Sequence, residues 1–428
     1  MNGLQERPKP SSPHRSWRAV VRGNVLMMGM VSLLTDFSSE MINPILPIFF
    51  VGLVGGAKAA LWVGLSEGIA EATAAILKIF SGRLSDKMHK RKALVAVGYG
   101  LSTLCRPAIA LAAGAWQVMA LKFGDRVGKG IRTSPRDALI GDSVGSDVRG
   151  LAFSFHRVMD HTGAILGPLV VAGLLFGILG YATGFKPSGN GEVTAEEMTA
   201  MRIVFGIALI PGLLAVATLL LKVREIAPAR APANRPGGTH GRSLPGRFYA
   251  FVGIVALFAL GNSSDMFLLL YGWSLFQFGL IKLIGLWVLL HVAKIVFSIP
   301  GGVLSDRLGR RPVIVAGWVV YALVYIGMAR IGPGQQWLFW TLFVAYGFFY
   351  GMTEGVEKAL VTDFVPSAKR GTAFGIYHGA VGIAALPASL LFGVFWMEIG
   401  PRWAFGIAAG LAGVATLLLT ALLSVGRP

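Results

Sequence analysis

The sequence predicts an all-α protein that crosses a membrane many times, and three observations carry that expectation. Of 428 residues, 54% are hydrophobic and 14% charged, whereas soluble domains carry about 25% charged residues. Apolar runs of about 20 residues, the length that spans a bilayer core, recur from residue 24 almost to the C-terminus. The Lys and Arg residues behind the net charge of +18 lie mostly in short connections between those runs, the distribution that orients membrane proteins rather than one that binds nucleic acid. A transmembrane barrel would alternate apolar and polar residues. The run LAGVATLLLTALLSV at 411–425 is apolar on every face, so the spans are helices.

Residues 1–23 are basic, carry Pro and Ser, and lack an apolar stretch followed by a small-residue cleavage site. They read as a cytoplasmic tail. Twelve spans follow, at about 24–52, 60–80, 93–113, 115–140, 151–180, 201–221, 248–276, 279–300, 313–332, 336–362, 372–398 and 402–424. The stretch 223–247, rich in Pro, Gly and Arg, reads as a cytoplasmic linker between a first six-helix bundle (24–222) and a second (248–424), with 425–428 a short tail. The N-terminal tail, residues 83–92, the linker, residues 305–312 and the pair Lys369, Arg370 are basic and fall on one side. The alternate connections, around Lys58, Gly114, Lys186, Gly334 and Pro401, hold few basic residues, so both termini are expected in the cytoplasm. The single cysteine, Cys105, excludes an intrachain disulfide and a cysteine metal cluster.

The two halves repeat. Gly82, Leu84, Ser85, Asp86 and Lys87 match Gly302, Leu304, Ser305, Asp306 and Arg307, and Asp142, Arg149, Gly150, Ala152 and Phe153 match Asp363, Arg370, Gly371, Ala373 and Phe374 at nearly the same offset. Ser38, Ser39, Glu40, Met41 recurs as Ser263, Ser264, Asp265, Met266. Three anchors in one order mark an internal repeat of two pseudo-symmetric bundles. Gly82 and Gly302 permit close helix approach, while Asp86 and Asp306 have the chemistry to pair with basic residues or cap a neighbouring helix. Lys90, Arg91 and Lys92 read as topological charges at the headgroups.

GRLSDKMHKRK (82–92) and GVLSDRLGRRP (302–312) resemble the loop signature of the major facilitator superfamily. In the first copy His89 stands where the second has Gly309, which argues against a left-handed turn there. The resemblance implies two bundles latched through Gly82, Asp86, Gly302, Asp306 and Arg307 when the protein faces outward. Arg126 and Gly130 resemble a family motif linked to proton transfer, with Lys129 in place of the usual glutamine. Gly163, Gly167, Pro168 and Gly173 resemble a motif of exporters that exchange solute for protons.

Ionisable residues inside a membrane are functional candidates, because a charge near the bilayer centre costs at least about 2.5–3.5 kcal/mol. Asp36 and Glu40, four apart on the first span, share one face and are the leading proton-coupling pair, with Arg126 and Asp160. Glu67 and Glu71 repeat that spacing on the second span. Arg126, Lys129, Arg132 and Arg136 form a basic stripe on the fourth; Arg126 needs a carboxylate, an anionic solute or water, whereas Arg132, Arg136 and Asp137 are expected to snorkel to the cytoplasm. On the fifth span Arg157 is placed to pair with Asp160, with His156 over the same carboxylate. Arg157, Glu67, Glu71, Asn262, Asp265, His291, Lys294, Glu354 and Glu357 are assigned to a solute cavity. Glu357 occupies the repeat position of Arg136 and suggests a salt bridge between halves, while Lys358 reads as topological. His378 adds a titratable group on the eleventh span.

No dedicated metal cluster appears in the sequence, and Asp36, Glu40 and Asp265 are left only as transient ligands. No phosphate loop or nucleophile elbow is present, so no enzyme and no cofactor is expected. The reading is a monomeric secondary transporter in a bacterial-type inner membrane that moves a small polar or charged solute by alternating access, most readily by proton-coupled export. Its rivals are proton-coupled uptake of an organic anion or metal chelate, a non-transporting receptor, and a lipid flippase.

Overall fold

The computed structural model describes residues 20–180, 193–226, 244–276, 278 and 280–424. The tail up to residue 19, residues 227–243 of the linker, the tail 425–428 and the side chain of Glu67 lie outside the described residues. Among the described residues all regular structure is helical. Helices α1 (Gly23–Glu40) and α2 (Leu46–Val54) form a broken rod; α3 (Gly56–Met88), α4 (Arg91–Ala108), α5 (Ala115–Asp142) and α6 (Arg149–Leu179) follow; α7 (Ala195–Ile207) runs into α8 (Leu209–Lys222). The second half opens on another broken rod, α9 (Gly246–Gly261) and α10 (Met266–Phe276), and continues with α11 (Leu280–Leu308), α12 (Arg310–Arg330), α13 (Gln336–Phe364), α14 (Arg370–Glu398) and α15 (Pro401–Ser424).

The first rod of each half breaks where the sequence reading ran straight through, and both breaks fall at the same repeat. Helix α1 ends on Glu40, and α10 begins one residue after Asp265. In the first break Pro44 and Pro47 remove backbone donors and disfavour helix in the residues before them. In the second, Asn262, Ser263, Ser264 and Asp265 are all side chains that compete with the helix for backbone groups; Ser264 Oγ accepts from the Met266 N–H at 3.4 Å.

Eight described stretches are long and apolar enough to cross a membrane: 91–111, 146–179, 195–222, 246–276, 285–308, 310–330, 367–398 and 401–424. The segments that fail this test are the broken α1–α2 rod and α3, α5 and α13, three helices rich in the ionisable residues read as functional. Leu221, Leu417 and Leu104 lie exposed on the outside of the bundle, as lipid-facing residues do. Trp116, Trp337 and Trp403, also exposed, stand at the starts of α5, α13 and α15, where amphipathic rings mark a membrane interface.

The connection at 83–92 is not a loop. Helix α3 runs to Met88, so Asp86 sits on its last turn, and only His89 and Lys90 separate it from α4. His89 adopts the left-handed conformation, φ 53°, and its N–H closes the helix on Ser85 O at 3.1 Å; its counterpart Gly309 has φ 96°. The expectation against a left-handed turn is thus overturned: histidine is among the residues that tolerate this region in a single cap position.

The two halves meet through a reciprocal pair of helix caps. Asp86 accepts from the backbone N–H groups of Gly371 (3.0 Å) and Thr372 (2.6 Å), which open α14. Asp306 does the same to Gly150 (2.9 Å) and Leu151 (2.8 Å), which open α6. A carboxylate at a helix N-terminus satisfies orphan donors and complements the dipole. Arg91 pairs with Asp86 at 3.3 Å and with Asp142, and donates to Ser367 O at 2.6 Å; Arg370 closes on Asp142. In the other copy Arg310 pairs with Asp306 and with Asp363 at 3.1 Å and donates to Ser146 O at 3.0 Å, while Arg149 reaches Asp363 at 2.8 Å. Arg91 is fully buried, which corrects its reading as a topological charge. Arg307 is exposed; Arg310, at the N-terminus of α12 directly after Gly309, makes the contacts expected of it.

Glycine makes this approach possible. A methyl group on Gly82 would overlap the Gly371 carbonyl, and one on Gly302 would come within 2.6 Å of the Gly150 carbonyl. Asn24 and Arg224 exchange two 2.8 Å hydrogen bonds, and Glu225 accepts from the N–H groups of Arg91 and Lys92, so the start of α1 and the end of α8 share this latch end.

Two outcomes follow for the latch. Removing a charged cap costs about 1 kcal/mol, so D86A with D306A should shift the ratio of closed to open latch ends by roughly thirtyfold. Maleimide labelling of single cysteines placed beside α14, in a Cys105→Ser background, should rise accordingly, and unchanged labelling would make the caps incidental. Gly371→Val, which drives a side chain into Ser85 Oγ and the Gly82 carbonyl, should produce the same opening with both aspartates intact.

Candidate functional site

Inward from the latch, the interface between the halves is closed by two layers of buried charge. Asp137 of α5, fully buried, lies 3.2 Å from Lys358 Nζ of α13, 2.8 Å from His378 Nε2 of α14 and 2.9 Å from Arg136 Nε. The next layer centres on Arg157 of α6, which pairs with Asp160 on its own helix and reaches Glu354 Oε1 of α13 at 2.8 Å. His156 stands 3.7 Å from Asp160, Ser32 of α1 donates to the same carboxylate, and His161 stands 3.5 Å from Glu354 Oε2 with its ring edge-on to His291, centroids 5.4 Å apart. Removing one partner of such a pair leaves a buried uncompensated charge, a loss of about 3–5 kcal/mol.

These layers correct several sequence assignments. Asp137 and Lys358 are buried ion-pair partners across the halves, and Arg136 is buried beside Asp137 on its own helix, so none of the three is a snorkelling or topological residue. Arg132 is buried too, 4.5 Å above the Tyr99 ring and bonded to Ser102 Oγ. Among the described residues Glu357 makes no bridge between halves: it accepts from Trp318 Nε1 at 2.9 Å and Tyr377 OH at 2.8 Å, both in its own half. The cross-half carboxylate is Glu354, one turn earlier, because that face of α13 meets α6.

Asp36 and Glu40 face α6, and the glycines there provide their seats. A Cβ on Gly163 would lie 3.1 Å from Asp36 Cβ, and one on Gly167 would lie 2.7 Å from Glu40 Cβ. Gly173, by contrast, has open space around it. Glu40 accepts from Asn43 Nδ2 at 3.0 Å. Among the described residues neither carboxylate has a Lys, Arg or His nitrogen within 4.0 Å. The nearby Arg106 of α4 is engaged elsewhere, with Asp125 of α5 at 2.9 Å and the Thr35 carbonyl of α1 at 2.9 Å. Sequence reasoning missed this pair; the signal was an arginine before Pro107 in an otherwise apolar run.

Asp265, the repeat partner of Glu40, is fully matched. Tyr346 OH donates to it at 2.6 Å, Tyr350 OH at 3.1 Å and Lys294 Nζ at 3.3 Å, with Lys294 3.8 Å above the Tyr350 ring. Asn262 lies within 3.5 Å of both tyrosine hydroxyls. The tyrosines, one turn apart on α13, were not read as site residues. His291 Nδ1 contacts the Trp287 carbonyl at 3.0 Å.

Arg126 meets Glu71 at 2.9 Å and Lys129 meets the same carboxylate at 3.8 Å. Glu71 is 53% and Lys129 38% exposed, so solvent reaches this pair, and charged groups at this depth face water rather than lipid. The structure therefore gathers the sequence-assigned residues into separate groups: Asp36 with Glu40, Arg126 with Glu71, Arg157 with Asp160 and Glu354, and Asp265 with Asn262 and Lys294. Arg126 and Asp160 do not pair. Among the described residues no three His, Cys, Asp or Glu side chains converge as a metal site.

Comparison with known proteins agrees with this architecture. The family model of the Major Facilitator Superfamily matches residues 28–290 and 248–428. An uncharacterized MFS-type transporter of Methanocaldococcus jannaschii is 34% identical over 401 residues, 92% of this chain and 94% of that protein. Among solved structures, the human organic anion transporter MFSD10 superposes with a TM-score of 0.76 at 14% identity, over 96% of this chain and all of that one. The fucose:proton symporter of E. coli does so with 0.74 at 13% identity, over 94% and 98%. At these identities the structural likeness speaks for the fold alone, and the family match with the archaeal relative establishes the rest: the chain is a transporter of the Major Facilitator Superfamily, built into the membrane as a bundle of helices.

Proposed function

We propose that this protein is a proton-coupled secondary transporter that exports a small polar or charged solute by alternating access, with Asp36 and Glu40 as the proton-carrying pair. The observation that carries the reading is their position. Both sit at the broken end of α1, on the glycine seats of α6, with no cation partner among the described residues. The membrane interior penalises an unpaired carboxylate, so these groups stay charged while water reaches them and take a proton when it leaves. Asp160, on the same α1–α6 interface, is held by Arg157 and Ser32 and serves as a fixed counter-charge.

Alternating access then has a physical cause. Charged Asp36 and Glu40 hold water between the halves at the end opposite the latch; neutralised by protons, they tolerate occlusion, and the two halves rock about the Arg157–Glu354 and Asp137–Lys358 layers until the latch end opens. The basic latch end is assigned to the cytoplasm by the positive-inside bias, with α1–α2, α3, α5 and α13 completing twelve spans of a bacterial-type inner-membrane protein. Export is favoured by the Gly163, Gly167 seats, which resemble those of exporters and are occupied here by the acidic pair.

In vesicles loaded with a pH-sensitive dye, solutes that raise the melting temperature of the purified protein should drive proton flux through wild type. Asp36→Asn and Glu40→Gln should reduce that flux to the level of protein-free vesicles while preserving the solute-induced rise in melting temperature. Full pH-driven flux in both variants would remove the pair from coupling. Gly167→Leu, which displaces Glu40 without changing any charge, should also impair flux.

A further inference from the structure

Lys78 is a half-buried side chain of α3, two turns beyond Glu71 on the same face. Among the described residues its ammonium has no hydrogen-bond acceptor and no carboxylate within 4.0 Å. Its charged neighbours are Lys129 and Arg126 of α5, Glu71, and Lys358 of α13. Glu71 is already shared by Arg126 and Lys129, and Lys358 is held by Asp137 at 3.2 Å. Lys78 thus adds a positive charge that no carboxylate of its own balances among the described residues. An excess positive charge at membrane depth is costly until an anion joins it.

The position of Lys78 says where that anion would sit. Its carbonyl accepts from Ser134 Oγ of α5 at 2.9 Å, and Gly375 of α14 packs against its backbone, so it stands where the halves meet. Gly82, at the latch, follows one turn later on the same helix. Lys129, 38% exposed, opens the group to solvent.

We propose that Lys78, with Lys129 and Arg126, binds an anionic group of the transported solute, a carboxylate or a phosphate, one helical turn inward from Gly82. This assignment rests on the transport role proposed above. Lysine suits the task as a flexible point charge that follows an anion through a changing geometry, while the forked Arg126 holds Glu71 or the anion. A bound anion balances the excess cation and allows the space around it to close.

The test is isothermal titration of the purified full chain with inorganic phosphate, succinate, glucose and tetraethylammonium as separate probes. One or both anions should bind saturably, with affinity weakened about tenfold or more in K78Q and in K129Q and kept within about threefold in K78R, whose melting temperature reports that the fold is intact. Saturation by phosphate alone or by succinate alone identifies the group recognised. Binding of neither anion, binding of the cation only, or equal anion affinity in wild type, K78Q and K129Q overturns the proposal. Dye-loaded vesicles separate its failure from that of the transport reading: gradient-driven flux without anion binding removes only the anion site, whereas anion binding without flux removes transport and leaves the site.

Discussion

The fold depends on one interaction made twice: a carboxylate at the end of one helix capping the first backbone N–H groups of a helix in the other half. Asp86 on α14 and Asp306 on α6 satisfy donors that the membrane interface would otherwise leave without partners. Glycines at 82, 150, 302 and 371 allow the four helices to touch backbone to backbone. The buried arginines beside the caps, Arg91, Arg310 and Arg370, are each paired with a carboxylate. The seal is therefore polar, reversible and dense, since opening exchanges each protein contact for water instead of exposing a hydrophobic core.

Deeper layers obey a harsher rule. Asp137 and Lys358 are buried and Arg157 and Glu354 largely so, and each is matched by a partner on the opposite half, because an unmatched charge there would cost several kcal/mol. Asp36 and Glu40 break that rule, as does Lys78 with the opposite sign. In the proposed mechanism these are the groups available to a proton and to a solute. The two halves differ here: Glu40 keeps only Asn43, whereas its repeat partner Asp265 is satisfied by Tyr346, Tyr350 and Lys294. Pseudo-symmetry supplies the scaffold, and its violation at this position leaves Glu40 without the tyrosine and lysine partners that Asp265 has.

Much of the fold was legible because hydropathy and repetition are local signals. The apolar runs, the latch motif in both copies and the i,i+4 pairing of Asp36 with Glu40 all follow from spacing along one helix. What escaped depended on the neighbouring helix. Arg91 and Lys358 read as headgroup charges because nothing in their own segments reveals Asp142 or Asp137 facing them. Glu357 was chosen over Glu354 because the repeat aligned it with Arg136, while only the packing of α13 on α6 decides which carboxylate crosses. The breaks at 41–45 and 262–265 were hidden by continuous hydropathy, although Pro44 and the Asn-Ser-Ser-Asp run carried the signal. Lys78 drew no assignment from the sequence, since its lack of a partner is a property of three helices together.

In the proposed mechanism, charge on the α1 carboxylates governs the seal at the latch end. Spin labels at positions 87 and 307, exposed sites on opposite halves beside the two caps, report that seal as a distance distribution by pulsed electron resonance. Lowering the pH should populate a longer distance in wild type, and the D36N/E40Q double variant should hold one distribution across the same range. A wild-type distance that ignores pH, or a double variant that responds as fully as wild type, would contradict the account.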